Sequence, residues 1–388
     1  MIEEPAVLVN RDRADQEEPV MRRHRLSINV TRAAALLGAA ACLVAAASGP
    51  LAAPAVAAPT SVPLAWVPVP TGSAEDFRGV NAISRDAVWV AGTHGQVLRT
   101  VDAGRTWKDV SPPGADAVYF RDIEATSSRH AVLLSVSGSE TQAAGRVWVT
   151  DDGGTTWASP LATTDPRSFF DCLAFASPDR GYLVGDPVDG RFEVYVTRDA
   201  GHHWTKADTS RMPPAVDGEF AFAAGGSCMS AVGSTVSFGT GGTVSRVFRS
   251  IDAGRTWVAQ PTPLVTGPSA GVFAAQFRDE RNGIAVGGDI DALSSPAHTA
   301  AYTDNGGRTW QESRSMPGGL RTSAVWVSLL PVGIAVGPTG SDISLDAGRS
   351  WRPIDTGGWT TLSCAPDLAC YAVGLAGKVS RLSLALGS

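Results

Sequence analysis

From position 79 to 110 the chain breaks into four short runs rich in β-branched and apolar residues, at 79–83, 87–91, 96–99 and 107–110, with turn residues between them. Runs of four or five such residues, punctuated by Gly, Asp and Ser, predict β-strands. The same rhythm restarts at Tyr119, Phe170, Glu219, Val272 and Ser323. One turn recurs through these restarts with little change. Its members are Thr100, Asp102, Gly104, Thr106 and Trp107; Thr150, Asp152, Gly154, Thr156 and Trp157; Thr197, Asp199, Gly201, His203 and Trp204; Ser250, Asp252, Gly254, Thr256 and Trp257; Thr303, Asn305, Gly307, Thr309 and Trp310; and Ser344, Asp346, Gly348, Ser350 and Trp351. Successive tryptophans lie 50, 47, 53, 53 and 41 residues apart.

A period of that length matches one four-stranded blade of a β-propeller, a sheet that cannot bury both faces without neighbours. In each turn an Asp or Asn accepts from the turn amides, Gly supplies a positive φ, and the flanking Ser or Thr ties the strands together. After the sixth turn come three more predicted strands, at 360–363, 370–373 and 378–382, with no seventh turn. The missing strand is expected at the other end, because Trp66-Val67-Pro68 resembles the segment that follows a turn, as in Trp351-Arg352-Pro353. The expected fold is all-β: a single seven-bladed β-propeller over residues 59–388, six blades carrying the turn and the seventh closed by N- and C-terminal strands. Such closure removes two exposed sheet edges.

Composition agrees and sets limits. The chain has 42 Gly, 25 Pro and 11 Trp with 18% charged residues, a balance suited to a turn-rich all-β protein. A net charge of −6 with three lysines (Lys108, Lys206, Lys378) gives no electrostatic footprint for nucleic acid. Residues 1–58 read as an export region. A basic start at Met21-Arg22-Arg23-His24-Arg25 precedes an apolar run from Ala33 to Ala47, and Ala55-Val56-Ala57 offers small residues for cleavage. The acidic stretch ahead of Met21 is foreign to such a signal, so translation is expected to begin at Met21. Arg22-Arg23 also fits a twin-arginine signal. The apolar run is short for a membrane span and is broken by Ser48-Gly49-Pro50, which favours cleavage over retention as an anchor. Cys42 lacks a lipobox, since Ala39 stands where Leu is wanted. The mature chain is expected to be a monomer, secreted or in the cell envelope of a bacterium, with no transmembrane domain.

Four cysteines remain in an oxidising compartment. Cys364 and Cys370 flank a five-residue turn between predicted strands and are expected to form a disulfide. Cys172 and Cys228 lie in apolar segments of different repeats and are expected to be buried free thiols.

Candidate chemistry collects in the loops that enter the innermost strands or join second to third strands, which share one face of a propeller. Arg78, Arg121, Asp122, Arg191, Arg246, Asp289, Arg321 and Asp342 are the candidate ligand-binding residues there. An arginine fork suits a carboxylate, so a protein terminus or an acidic glycan is the expected ligand. Asp171, Asp186, Asp189 and Glu219 are the candidate catalytic carboxylates. No metal or cofactor is expected. The histidines left after processing (His94, His130, His202, His203, His298) have no zinc-ligand spacing, no Gly-x-Gly-x-x-Gly opens a helix, and Gly-x-Ser-x-Gly is absent.

The repeated turns resemble the Asp-box, or BNR, repeats of sialidases and other propellers of the wider WD40/YVTN-like group. That resemblance implies a peripheral turn, away from the ligand. Segments outside the turns carry a narrower one: Phe77-Arg78-Gly79, Phe120-Arg121-Asp122-Ile123-Glu124-Ala125, Phe169-Phe170-Asp171, the stretch from Gly185 to Phe192, that from Arg246 to Ser250, and Gly287-Gly288-Asp289. They resemble exported bacterial propellers related to the photosystem II stability and assembly factors, some labelled oxidoreductases. The resemblance runs from about Trp66 to Leu382 and implies partner binding through an arginine-rich face. Two functions follow as expectations: a non-catalytic propeller binding a protein or acidic glycan, or a sialidase-like or related glycoside hydrolase using paired carboxylates at the central cleft. The second lacks an Arg-Ile-Pro near the first blade, where Phe77-Arg78-Gly79 stands.

Overall fold

The computed structural model describes residues 64–137 and 145–384 of the 388-residue chain. The expected export region, 1–58, lies outside the described residues. Among the described residues the regular structure is antiparallel β, apart from a single 3-10 turn at Ile290–Ala292. Five sheets have four strands and a sixth has nine; in the latter, Gly241 and Gly242 pair with Gly271 and Gly267 and join two groups of strands. The innermost strands are Phe77–Ala82, Val118–Ala125, Phe170–Phe175, Met229–Val232, Gly267–Phe277, Ser323–Trp326 and Thr361–Cys364. Each touches the next, and the last touches the first, so they form a closed circuit.

The circuit closes where the sequence placed the join. Leu64–Pro68 pairs antiparallel with Val379–Leu384, Leu64 opposite Leu384 and Pro68 opposite Ser380. Trp66 Nε1 donates to Ser341 Oγ at 2.9 Å, and its ring lies 5.2 Å from that of Trp359. Apolar faces of neighbouring sheets supply the core: Val80 and Val90 meet Tyr371 and Val373, Val132 and Leu134 meet Leu173 and Leu183, and Ile334 and Val336 meet Leu362 and Ala372. Each of the valine, leucine and isoleucine side chains so buried contributes about 1.5–3 kcal/mol.

The six repeated turns are held by their own side chains. At Ser250 to Trp257 the Ser250 hydroxyl oxygen accepts from the Gly254 amide at 2.9 Å, and Asp252 accepts from the Thr256 amide at 2.8 Å and its hydroxyl at 2.6 Å. These bonds favour the ionised carboxylate. At the equivalent Asp102 the Thr106 hydroxyl leads in lowering the pKa to about 2. In every repeat a turn amide also donates to the hairpin joining first and second strands, as Ala103 does to Asp86 O at 3.0 Å and Ala253 to Ser234 O at 2.9 Å. Turns and hairpins therefore share the end at which the innermost strands finish.

Two expectations are corrected. Cys172 and Cys228 are not free thiols but a disulfide, with Cα atoms 6.1 Å apart. They sit on or beside adjacent innermost strands, which brings together residues 56 apart in sequence. The second disulfide joins Cys364 to Cys370. The innermost strand expected from Glu219 is also split. Glu219–Phe220 pairs with one end of Thr235–Gly242 and Met229–Val232 with the other, which frees residues 221–228 from the sheet. That segment, Ala-Phe-Ala-Ala-Gly-Gly-Ser-Cys, is small enough to enter the ring.

Candidate functional site

Among the described residues four innermost strands slip register against their second strands, and the residue passed over is Arg78, Arg121, Asp171 or Phe273. A bulge of this kind re-aims one side chain while the strand continues. The residue before each bulge, Phe77, Phe120, Phe170 or Val272, is fully buried and anchors it. A further bulge in Gly181–Val188 passes over Asp186. Residues from three successive innermost strands thus gather at one end, opposite the repeated turns.

Their electrostatics are mutual. Arg121 lies over the Tyr119 ring at 5.9 Å, and Tyr119 meets His94 edge-on at 6.3 Å. Arg78 is buried, which lowers its pKa against the opposing pull of Asp76 and Tyr119. Asp171 is 1% exposed, and neither carboxyl oxygen has a hydrogen-bond partner. Burial pushes its pKa well up, the Asp186 charge adds to this, and Arg121 opposes it. Asp186 Oδ1 accepts from the Ala221 amide at 3.0 Å.

The other sequence candidates are held elsewhere. Arg246 Nε donates to Glu219 Oε1 at 2.9 Å and its Nη2 to Glu219 Oε2, while Thr240 donates to the same carboxylate at 2.6 Å. Arg321 and Asp342 form an ion pair buried on both sides. Arg191 donates to Met212 O. Asp189 is exposed and accepts from Arg167 at 2.8 Å. Asp289 accepts from Ser269 at 2.7 Å and caps the 3-10 turn through the Asp291 amide at 2.9 Å. Of the eight proposed ligand contacts, Arg78 and Arg121 stand at the bulges, and Arg191, Arg246, Asp289, Arg321 and Asp342 make the bonds just described.

Asp122 faces inward. The freed segment crosses the ring there: Gly225 O accepts from Thr361 Oγ1 at 2.5 Å, Ser227 Oγ donates to Ser323 Oγ at 2.9 Å, and Gln276 Nε2 donates to Ser227 O at 2.7 Å. Beyond this crossing lies a cavity of about 210 Å³ lined by Asn81, Asp122, Glu124, Gln276, Phe277 and Ser363 among others, on the finishing halves of the innermost strands. Asp122 accepts from the Ile123 amide at 2.8 Å and the Leu173 amide at 2.9 Å, yet burial outweighs both and raises its pKa to about 8. Burial also raises Glu124, with the Asp122 charge second and the Asn81 hydrogen bond opposing. The sequence named Glu124 only within the segment Phe120 to Ala125 and not as a site candidate. Its i, i+2 spacing from Asp122, which puts both on one face of a strand, was the available signal.

No protein-family model matches the chain, and no curated protein sequence matches it. Solved structures do. A structure of YCF48 bound to D1 peptide is 14% identical with a TM-score of 0.56, over 81% of this chain and 96% of that one. The WD40 repeats of RRP9 are 10% identical with a TM-score of 0.57, over 84% and 98%. A GH74 xyloglucanase from Xanthomonas campestris is 14% identical with a TM-score of 0.54, over 81% of this chain and 53% of that one. At such identities the likeness establishes the fold, a β-propeller resembling YCF48, and leaves function to the site.

Proposed function

We propose that this chain is an exported, seven-bladed propeller of Asp-box blades that binds a protein or acidic glycan ligand at the bulge cluster, without catalysis. The blade count is supported by the circuit of innermost strands, with the nine-stranded sheet taken as two joined blades. Export to the bacterial envelope or beyond is supported by two disulfides, which persist in oxidising compartments.

The observation that carries the binding reading is the placing of Arg78, Arg121 and Asp171 at matching bulges of three successive strands. Arg121 is partly exposed beside Tyr119 and His94, a combination suited to a carboxylate on an apolar stem. The candidate carboxylates serve catalysis poorly: Glu219 is locked by Arg246, Asp189 is tied to Arg167, and Asp171 is shut from solvent. The YCF48 propeller, similar in fold, is solved with a peptide bound.

The test is binding of the purified protein to arrays of acidic peptides and of sialylated or uronic-acid glycans. Wild type is expected to bind a carboxylate-bearing ligand, and Arg121→Glu to weaken it at least tenfold. No binding by wild type on either array, or equal binding by Arg121→Glu, overturns the reading. A glycoside hydrolase is the second reading, favoured by two carboxylates close together at the bulges, Asp171 being raised by burial and by the Asp186 charge. Turnover of a chromogenic glycoside, abolished by Asp186→Asn, would install it in place of the first.

A further inference from the structure

The end that carries the repeated turns was expected to be free of chemistry, yet three metal-ligating side chains meet there. His130 Nδ1 lies 2.8 Å from Asp151 Oδ1, and His202 Nε2 lies 3.2 Å from Asp151 Oδ2. The donor atoms of the three residues lie within 4.8 Å of one another. His130 closes the hairpin ahead of Ala131–Ser137, Asp151 opens the turn after Arg146–Thr150, and His202 sits in the turn after Arg191–Thr197 of the next sheet. We propose that His130, Asp151 and His202 bind one divalent transition-metal ion of the zinc class, bridging the two sheets.

The donor set points to that class. Two imidazoles and a carboxylate suit zinc and its neighbours, whereas calcium and magnesium take oxygen ligands. The spacing fits as well. Tetrahedral zinc with bonds of about 2.0–2.1 Å holds its ligand atoms about 3.3 Å apart. The two histidine–carboxylate contacts, at 2.8 and 3.2 Å, lie near that spacing, and the imidazole donors, within 4.8 Å of one another, close on the ion by side-chain rotation. The backbone pre-positions the donors: the His130 amide donates to Ser127 Oγ at 3.0 Å, Gly153 donates to Arg129 O at 2.8 Å, and the His202 amide donates to Asp199 O at 3.2 Å. The His130 side chain is 12% exposed, which fixes its ring by packing, while Asp151 and His202 are 62% and 40% exposed and leave a fourth position open to water. Three protein ligands with one open position is the pattern of a reactive rather than a purely structural zinc site.

The alternative is a set of exposed histidine–carboxylate contacts with no metal, and the experiment separates the two. The purified protein, stripped with a chelator, is titrated calorimetrically with zinc chloride and separately followed by visible absorption on adding cobalt(II). One zinc per chain and cobalt d–d bands are expected for wild type. His202→Ala and Asp151→Asn, both at exposed or half-exposed positions, should weaken zinc binding at least tenfold and abolish the bands. His203→Ala, in the same turn but paired with Asp199, should bind as wild type. Absence of saturable binding in the wild type, or wild-type affinity in both His202→Ala and Asp151→Asn, overturns the proposal.

Discussion

Arg321 Nε donates to Asp342 Oδ2 at 2.6 Å, and neither side chain is more than 2% exposed. The pair costs desolvation on both sides, and its stability depends on both members being present. Two further bonds, from Arg321 Nη1 to Leu320 O at 2.9 Å and to Thr339 Oγ1 at 2.8 Å, use up much of the remaining fork.

Asp342→Ala should therefore destabilise the fold by about 3–5 kcal/mol, because it strands a buried guanidinium. Urea unfolding measures this. A loss below about 1 kcal/mol would mean that water reaches Arg321 and compensates for it.

The buried Asp122 sets a pH dependence of defined sign. Its pKa is about 8 in the fold against about 3.9 in an unfolded chain, so between about pH 4 and pH 8 the folded state keeps a proton that the unfolded state has released. Stability then falls as pH rises through that window. The melting temperature should drop from pH 5 to pH 8, and Asp122→Asn should flatten the drop in part, with Glu124 keeping the remainder. Identical slopes for the two proteins would place an ionised carboxylate at Asp122.

The disulfides should contribute unequally. In the chain-entropy account, closing the loop between Cys172 and Cys228, 56 residues apart, is worth about 4 kcal/mol, and closing the six-residue span from Cys364 to Cys370 about 2 kcal/mol. Denaturant midpoints of the two double Cys→Ala variants test the order. A larger loss at the short loop would reverse it.

Two glycines with positive φ should differ for a reason of space. At Gly254, φ +83°, an added methyl meets nothing nearer than Tyr182 at 3.6 Å, so Gly254→Ala should cost only the backbone strain of about 1–2 kcal/mol. At Gly226, φ +62°, it would lie 2.5 Å from Asp122 Oδ1, so Gly226→Ala should cost clearly more. Thermal unfolding of the two variants, measured side by side, decides it. Equal costs would show that the segment across the ring yields freely.

The repeated turns were legible because their bonds are local. Ser250, Asp252 and Thr256 find one another within seven residues, whatever the rest of the fold does. The closing strand at Trp66 was legible for the same reason, through its likeness to Trp351-Arg352-Pro353. The bulges were half legible: Phe77-Arg78 and Phe120-Arg121 stood out as letters, but a slipped register has no sequence mark of its own. The Cys172–Cys228 link and the meeting of His130, Asp151 and His202 depend on which strands and turns become neighbours, so spacing along the chain could not reveal them. Arg246 and Arg321 misled because a charge in a loop looks the same whether it awaits a ligand or already holds a carboxylate.

The crossing of the ring by Gly225, Gly226 and Ser227 has a consequence for any polypeptide the molecule captures. A ring with an empty hub can be threaded, and a threaded chain can be gripped anywhere along its length. Here the hub is occupied. A polypeptide ligand of the kind proposed is then to be met at the rim, by its tip or by a side-on loop, and released by the way it came.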